Sequence, residues 1–410
     1  MNSSSPRPPA RPLVAIACGG TGGHLFPGLA VGEELLRRGC QVQVLVSPKA
    51  VDRLAVTAAV GMTVATLPAV GLSRGQWIGF LRGFVRAYIG ARRLFRARAP
   101  QAVLAMGGFT SAPPVLAGIQ AGAVTFLHES NIVPGRANRW LAHVVHQAFV
   151  GFPGAAGRLQ HTNVVVTGTP VRPQFQPAEA AACRVALGLH PQRPLLLVMG
   201  GSQGASGVND LVLRALPQLV RGAPELQFLH LTGPHDTAKV EDAYRSQQAR
   251  AVVRPFLTEM ELALGAATLA LSRAGASSLA ELAAMRVPAV LIPYPVAADN
   301  HQLHNARAYV DTGASTMLEE RDATGERLAA ITLGLLQDAP ALASMRAKLA
   351  AWHRPDAAPV IADKMLWLMR AHGCNCPPPQ APPPAASESA QAPMPSARTR
   401  QPVGLAGPRT

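Results

Sequence analysis

Long hydrophobic runs are missing from this chain: no stretch of 18 or more apolar residues occurs, so no membrane-spanning helix is expected. The first apolar stretch, Leu13 to Cys18, is too short for a signal-peptide core and runs straight into a Gly-rich loop, which reads as a cytosolic protein. Cysteines number five (Cys18, Cys40, Cys183, Cys374 and Cys376) and include no Cys-x-x-Cys pair, which argues against a disulfide scaffold or a zinc ribbon. Asp-x-Asp is absent, which argues against a cation-chelated diphosphate. The close histidine pairs His143/His146 and His301/His304 lack the flanking Glu of a zinc hydrolase, so no metal site is expected. Aromatic residues make up only 5%, leaving Ala, Val and Leu to fill the cores. Lysine is nearly absent, supplying four of the 38 basic residues.

Acidic residues are absent from one long stretch. Between Arg53 and His128 there is neither Asp nor Glu, while arginines stand at 53, 74, 82, 86, 92, 93, 96 and 98. That segment carries about half of the formal net charge of +15 and points to an anionic partner. Read as a helix, 76–98 places Trp77, Leu81, Phe84, Tyr88 and Phe95 on one side, with Arg82, Arg86 and Arg93 as an adjacent stripe. Aromatics beside arginines suit a helix lying on an anionic membrane, with Trp77, Ile78 and Phe80 exposed at its start. The plainer reading is a sheet-covering helix with solvated arginines. A nucleic-acid role is disfavoured, because the patch is local and no recognised binding motif accompanies it.

What is present is ample core material, 48% apolar residues in 410, enough for two or three domains. Residues 1–12 and 373–410 are Pro-rich tails expected to be disordered. Between them, β-branched runs alternate with helical spacing: LVAIAC (13–18), QVQVLV (41–46), AVLAMG (102–107), VTFLHE (124–129) and VVVTG (164–168). After a Pro- and Ala-rich stretch the pattern restarts with PLLLVMGG (194–201), FLHLTG (228–233), LALSRAG (269–275) and AVLIPYP (289–295). Alternation of this kind predicts mostly parallel sheets covered by helices, in two similar α/β domains that face each other across a cleft.

Each half opens with a strand, a Gly-rich turn and a helix: Gly19-Gly20-Thr21-Gly22-Gly23 in the first, Gly200-Gly201-Ser202-Gln203-Gly204 in the second. Such turns let backbone N–H groups and a positive helix end approach an anion. Neither has the Gly-Lys-Ser/Thr ending of a P-loop nor Gly-x-Gly-x-x-Gly spacing. His24 closes the first turn, where the helix end favours a neutral ring able to accept a proton; a turn-capping histidine is the alternative. His128-Glu129-Ser130-Asn131 ends a strand at the same cleft, as reacting groups or as a His–Glu pair fixing the loop. Arg172 is a diphosphate ligand or a solvated arginine. Ser277 and Glu281 share a helix face, where a carboxylate can accept from a ribose diol or simply complement the helix dipole. His301 and Gln302 open a further helix at the cleft rim.

Seven motifs in order, GGTGGHLFPGLA (19–30), GGFTSAP (107–113), HESNIVPGRANR (128–139), GTPVR (168–172), GGSQGA (200–205), SRAGASSLAEL (272–282) and DNHQ (299–302), closely resemble the MurG family. These are the UDP-N-acetylglucosamine–N-acetylmuramyl-(pentapeptide) pyrophosphoryl-undecaprenol N-acetylglucosamine transferases of peptidoglycan synthesis. The resemblance implies a GT-B fold of two Rossmann-like domains: 13–175 facing acceptor and membrane, a linker at 176–192, and 193–354 binding the donor. A helix at 355–372 would return to the first domain. It implies inverting transfer of GlcNAc from UDP-GlcNAc to the muramyl 4-hydroxyl of lipid I, forming lipid II at the cytoplasmic face of the inner membrane, with no cofactor required. Other cell-wall synthesis proteins are further candidate partners. By motif, Thr21, Gly22 and Gly23 would border donor and acceptor diphosphate, and Asn131, Arg172 and Ser202 would contact the nucleotide sugar. Leu257 would contact uracil. Ala276, Ser277, Ser278, Leu279, Ala280 and Glu281 would hold diphosphate and ribose, and His301 and Gln302 would face the GlcNAc hydroxyls. His24 is the first candidate for the base, with His128 and Glu129 as rivals. The chain departs from the family pattern at Phe109 (for Tyr), Ser130 (for Gln), Thr169 (for Asn) and His301 (for a frequent Gln). Transfer to another membrane lipid such as diacylglycerol, or a non-catalytic UDP-sugar-binding regulator, are the competing readings.

Overall fold

The computed structural model describes residues 11–19, 22–48, 59–68, 77–201 and 204–376. Thr21, Ser202, both tails beyond these limits, Arg53, Arg74 and the side chain of Trp77 lie outside the described residues.

Among the described residues the strands form two parallel sheets. The first contains β1 (Leu13–Ala17), β2 (Gln41–Val46), β3 (Thr63–Thr66), β4 (Ala102–Ala105), β5 (Val124–Glu129), β6 (Gln147–Val150) and β7 (Val164–Val166), in the order β3-β2-β1-β4-β5-β6-β7. The second contains β8 (Leu195–Met199), β9 (Gln227–Leu231), β10 (Arg250–Arg254), β11 (Leu269–Ser272), β12 (Ala289–Leu291) and β13 (Thr316–Met317), in the order β10-β9-β8-β11-β12-β13. The central strands β1 and β8 are buried along their whole length, as near-continuous apolar runs must be when helices cover both faces. Val14 sits in register between Val42 and Ala102, and Leu197 pairs both Leu229 and Ala270.

Each sheet reverses its winding beside its first strand, between β1 and β4 and between β8 and β11. Loops diverge at such a switch point and leave a crevice at the carboxyl ends of the strands. The helices that open there are α1 (Gly22–Arg37) after β1, α3 (Ala112–Gln120) after β4, α7 (Ser206–Gly222) after β8 and α10 (Ala276–Ala284) after β11. Between them in the chain lie α2 (Trp77–Ala97), α4 (Arg136–Leu141), α5 (Pro153–Ala156), α6 (Ala180–Ala186), α8 (Thr237–Ser246) and α9 (Met260–Ala266). They are followed by α11 (His301–Asp311), α12 (Gly325–Gln337), α13 (Ala339–Trp352) and α14 (Ala357–Ala371).

Helix α14 packs on the first sheet rather than the second. Ile361, Met365 and Met369 join Leu25, Leu29 and Ile16 in one core, and Asp363 takes a two-pronged grip from Arg38 at 2.9 and 3.1 Å. Where the chain crosses back, Trp352 stacks on Tyr309 at 4.4 Å and leans on Phe152 of the first domain at 5.7 Å. Aromatics are few, and this junction concentrates three of them.

Helix α2 departs from its expected orientation. Its buried side is Ala87, Ala91 and Phe95, with Phe84 and Tyr88 partly covered. Leu81, expected on that side, is instead 62% exposed and continues an apolar stripe with Ile78, Val85 and Ile89 at helical spacing. Phe80 is not freely exposed: its ring meets Phe109 edge-on at 5.4 Å. Arg82, Arg86 and Arg93 flank the stripe and are exposed, as expected. No single helix among the described residues is long and apolar enough to cross a membrane.

Candidate active site between the two sheets

The loops at the two switch points face each other across a cleft of about 1470 Å³. One wall carries Gly22, Gly23, His24, Gly107 to Phe109, Asn131 and Arg172. The other carries Gly200, Gly204, Leu257, Ala276 to Ser278, Glu281, His301 and Gln302. The sequence motifs thus converge from both domains on one volume, with three exceptions among the described candidates.

His128 is the first exception. Strand β5 turns it inward, where it is wholly buried beneath the cleft wall. Its Nε2–H donates to the Gly168 carbonyl at 3.0 Å, leaving Nδ1 to accept from the Ser130 hydroxyl at 3.2 Å. Burial pushes its pKa down to about 4, opposed by the Gly168 bond and reinforced by His24, so the ring stays neutral. Both nitrogens are occupied and the ring does not line the cleft, which corrects the expectation that its side chain converges there. Leu279 and Ala280 are the other exceptions. Leu279 is core, and Ala280 borders a separate small void beside Tyr309 and Trp352, because the turn of α10 carries them away from the cleft.

Glu129 reaches the cleft wall, but its carboxylate is already saturated. Oε1 accepts from the Asn131 backbone at 2.8 Å and its side chain at 3.0 Å. Oε2 accepts from Gly135 N and Asn138 Nδ2, both at 2.9 Å. Four donors converging on one buried carboxylate fix the loop 129–138. The loop is thus fixed as the alternative reading had it, but through Asn131, Gly135 and Asn138 rather than through a pair with His128.

His24 stands in the first turn of α1 with its ring laid against the Gly107–Gly108 backbone. A Cβ at Gly107 would lie 2.7 Å from His24 Cε1, and Gly107 has φ +115°, a conformation that suits glycine alone. The GGF motif is therefore a floor for the histidine. Gly107→Ala should move the ring and lower turnover about 100-fold, with donor affinity changed less than about threefold. Steady-state kinetics beside direct UDP titration check this, and unchanged turnover would sever the link between the two motifs.

On the facing wall, α10 follows its N-cap Gly275, and among the described residues no side-chain hydrogen bond caps its start. An uncapped helix end with small residues at Ala276, Ser277 and Ser278 is ready to receive an anion. Glu281 lies one turn on, hydrogen-bonded to the Ser277 side chain. Burial raises its pKa to about 7, with Arg172 pulling it down and Glu261 pushing it up. Arg172 bridges the walls: it comes from the first domain, lies 4.7 Å over the Phe26 ring and 5.1 Å over Phe175, and its field reaches Glu281. Gln302 accepts Ala274 N and Tyr294 N on its Oε1 at 3.2 and 3.0 Å, so its amide N–H groups are the part left for a ligand. His301 donates from Nδ1 to the Ala298 carbonyl at 2.8 Å, which leaves Nε2 as an acceptor.

Arg273, Asp299 and Asn300 lie within the sequence motifs, and the structure supplies their partners; Asn305 was not singled out from the sequence. Arg273 pairs with Glu320 at 2.5 Å, donates to the Ile292 and Pro293 carbonyls and lies over Tyr294. Asp299 and Asn300 both take positive φ, at 51°, and Asp299 meets Arg139 at 2.8 Å and Arg136 at 3.6 Å across the cleft. Asn305, one turn beyond Gln302, is completely buried between the domains. No group of three or more His, Cys, Asp or Glu among the described residues is arranged to hold a metal ion.

Two Rossmann-like domains with their switch points facing across an anion-ready cleft define a GT-B glycosyltransferase. Residues 14–150 match the N-terminal domain of glycosyltransferase family 28, and residues 195–361 match its C-terminal domain. A UDP-N-acetylglucosamine–N-acetylmuramyl-(pentapeptide) pyrophosphoryl-undecaprenol N-acetylglucosamine transferase of Anaeromyxobacter dehalogenans is 37% identical over 365 residues, 87% of this chain and 92% of that protein. The protein of the same name from Moorella thermoacetica is 37% identical over 369 residues, covering 86% and 98%. The crystal structure of Acinetobacter baumannii MurG superposes with a TM-score of 0.67 at 27% identity, over 87% of this chain and 99% of that one. The chain belongs to the MurG family.

Proposed function

We propose that this protein transfers GlcNAc from UDP-GlcNAc to the muramyl 4-hydroxyl of lipid I, producing lipid II, by a single inverting displacement in the cleft. The observation that carries this reading is the division of labour across one volume: His24 on the first domain, and Glu281, Gln302 and the open end of α10 on the second. In this reading the uracil lies along Leu257 and the ribose diol donates to Glu281. The diphosphate sits on the amides of Ala276 to Ser278, with Arg172 closing over it. Gln302 donates to one sugar hydroxyl, and His301 Nε2 accepts from another.

His24 takes the proton of the acceptor hydroxyl as that oxygen bonds to C1 of GlcNAc. The bond from C1 to the diphosphate oxygen breaks at the same time, and the electron pair leaves with UDP. Charge grows on the leaving diphosphate, where fixed amide dipoles need no reorganisation to stabilise it. His128 and Glu129 act through the loops they fix and are positioning residues. A transfer assay with a lipid I analogue and diacylglycerol in parallel tests the assignment. Product on the lipid I analogue alone is the expected result, and product on diacylglycerol alone would overturn the acceptor.

The acceptor is a lipid, so the protein must reach a membrane surface. Ile78, Leu81, Val85 and Ile89, between 42 and 70% exposed and flanked by Arg82, Arg86 and Arg93, fit peripheral docking on the anionic cytoplasmic leaflet. Phe80 on Phe109 places the start of that helix against the cleft mouth. Ile78→Asp with Leu81→Asp should weaken binding to vesicles containing phosphatidylglycerol about 30-fold, from the loss of two inserted apolar side chains. Unchanged vesicle binding would move the membrane face elsewhere.

A further inference from the structure

Two hydrogen bonds that cross between the domains share one buried side chain, and it is not one of the ligand-facing groups. Asn305 on α11 belongs to the second domain and is fully buried. Its Oδ1 accepts the Ile132 backbone N–H of the first domain at 3.0 Å. Its Nδ2 donates to Asn131 Oδ1 at 3.0 Å and to the Ala274 carbonyl at 3.2 Å. Asn131 is in turn held by Glu129. One amide therefore ties the loop that ends β5 to the turn that opens α10, the two segments that carry the facing walls. Every donor and acceptor position used is satisfied, and an asparagine that bonds a backbone N–H, a side-chain oxygen and a carbonyl from different segments fits only one relative placement of the domains. At the rim, Arg139 and Asp299 repeat the connection with a more exposed ion pair at 2.8 Å.

We propose that Asn305 is a positioning residue for the transfer: a clasp that holds the first-domain wall, with His24, at working distance from a donor seated on the second domain. The inference rests on the transferase reading above. In that reading the second-domain wall holds most of the UDP and Arg172 is the first-domain contribution, so loss of the clasp should lower UDP affinity far less than turnover, as the closed arrangement becomes less populated.

The test uses the full chain with Asn305→Ala, Asn305→Asp and Arg139→Ala. Asn305→Asp keeps the acceptor for Ile132 N–H and removes both donors. Arg139→Ala changes a half-exposed residue, so it reports even if the buried variant does not fold. Three quantities are read: kcat with a lipid I analogue, the UDP dissociation constant by calorimetry, and amide hydrogen exchange in the segment 130–133. For Asn305→Ala and Asn305→Asp, kcat should fall about 30-fold, as for one buried polar partner lost. UDP affinity should stay within about threefold, and exchange at 130–133 should accelerate about tenfold or more. Arg139→Ala should shift kcat the same way by about threefold. A UDP affinity that falls in step with kcat would overturn the clasp, making Asn305 a support of the donor loop only, and so would a kcat of Asn305→Ala and Asn305→Asp within threefold of wild type. If wild type itself gives no transfer, the transferase reading fails separately. The exchange data then decide the clasp alone: wild-type exchange at 130–133 as fast as in the variants overturns it.

Discussion

His24→Ala should lower kcat by about 1000-fold while UDP affinity changes by less than about threefold. The split follows from placement. The imidazole stands on the first-domain wall against Gly107 and Gly108, whereas the amides of Ala276 to Ser278, Glu281 and Gln302 all stand on the second. In the proposed mechanism, removing the ring takes away the proton acceptor and leaves the second-domain nucleotide contacts in place. Neither neighbour can substitute. His128 is wholly buried with both nitrogens bonded, and the Glu129 carboxylate already accepts four hydrogen bonds. Rapid-quench transfer and calorimetry on the same preparation make the comparison. A variant that keeps turnover within tenfold of wild type would remove His24 from the chemistry.

Glu281→Gln should weaken UDP and UDP-GlcNAc binding about 50-fold, because in the proposed donor pose two charge-assisted hydrogen bonds to the ribose diol would become neutral ones. The same residue sets a pH dependence whose sign is fixed. Burial raises the pKa of Glu281 to about 7, so below neutrality the carboxyl is largely protonated. The diol needs the ionised acceptor, so donor binding expels the proton. Affinity should therefore fall toward about tenfold per unit as pH drops from 7 to 5.5, and level off above pH 8. Glu281→Gln should flatten that profile in calorimetric titrations across the range. A steep wild-type profile retained in the variant would assign the titration to another group.

Much of this architecture was legible because its central strands are apolar runs bounded by glycine. LVAIAC, QVQVLV, VTFLHE and PLLLVMGG each became a buried strand within two residues of the expected limits. The strands that escaped notice are at edges or very short. β3 (TVAT) and β10 (RAVVR) are half solvated, so their polar ends hide the pattern, and β13 is two residues long. β6 (QAFV) is fully buried but only four residues long, too short for periodicity to separate it from its loops.

The site was legible for the same reason and failed for another. Glycine turns and helix starts are local, so the motifs around His24, Ala276 and Gln302 could be read directly. Whether a side chain points into the cleft or under it depends on one residue of strand or helix phase, which is why His128 and Leu279 were misplaced. Leu81 was misplaced on α2 because its buried side is made largely of the small residues Ala87 and Ala91, which leave the larger apolar groups outside. Asn305 and the Arg139–Asp299 pair join segments more than 150 residues apart, and no local spacing announces them.

A single displacement, in which a first-domain base delivers the acceptor oxygen to a second-domain donor, inverts the configuration at C1. The anomeric configuration of the transferred GlcNAc, read by proton NMR on the product formed with a lipid I analogue, tests it most directly. A β linkage from the α-linked donor is the predicted result. An α linkage would mean two displacements or a return on the same face, and would contradict both the mechanism and the role given to His24.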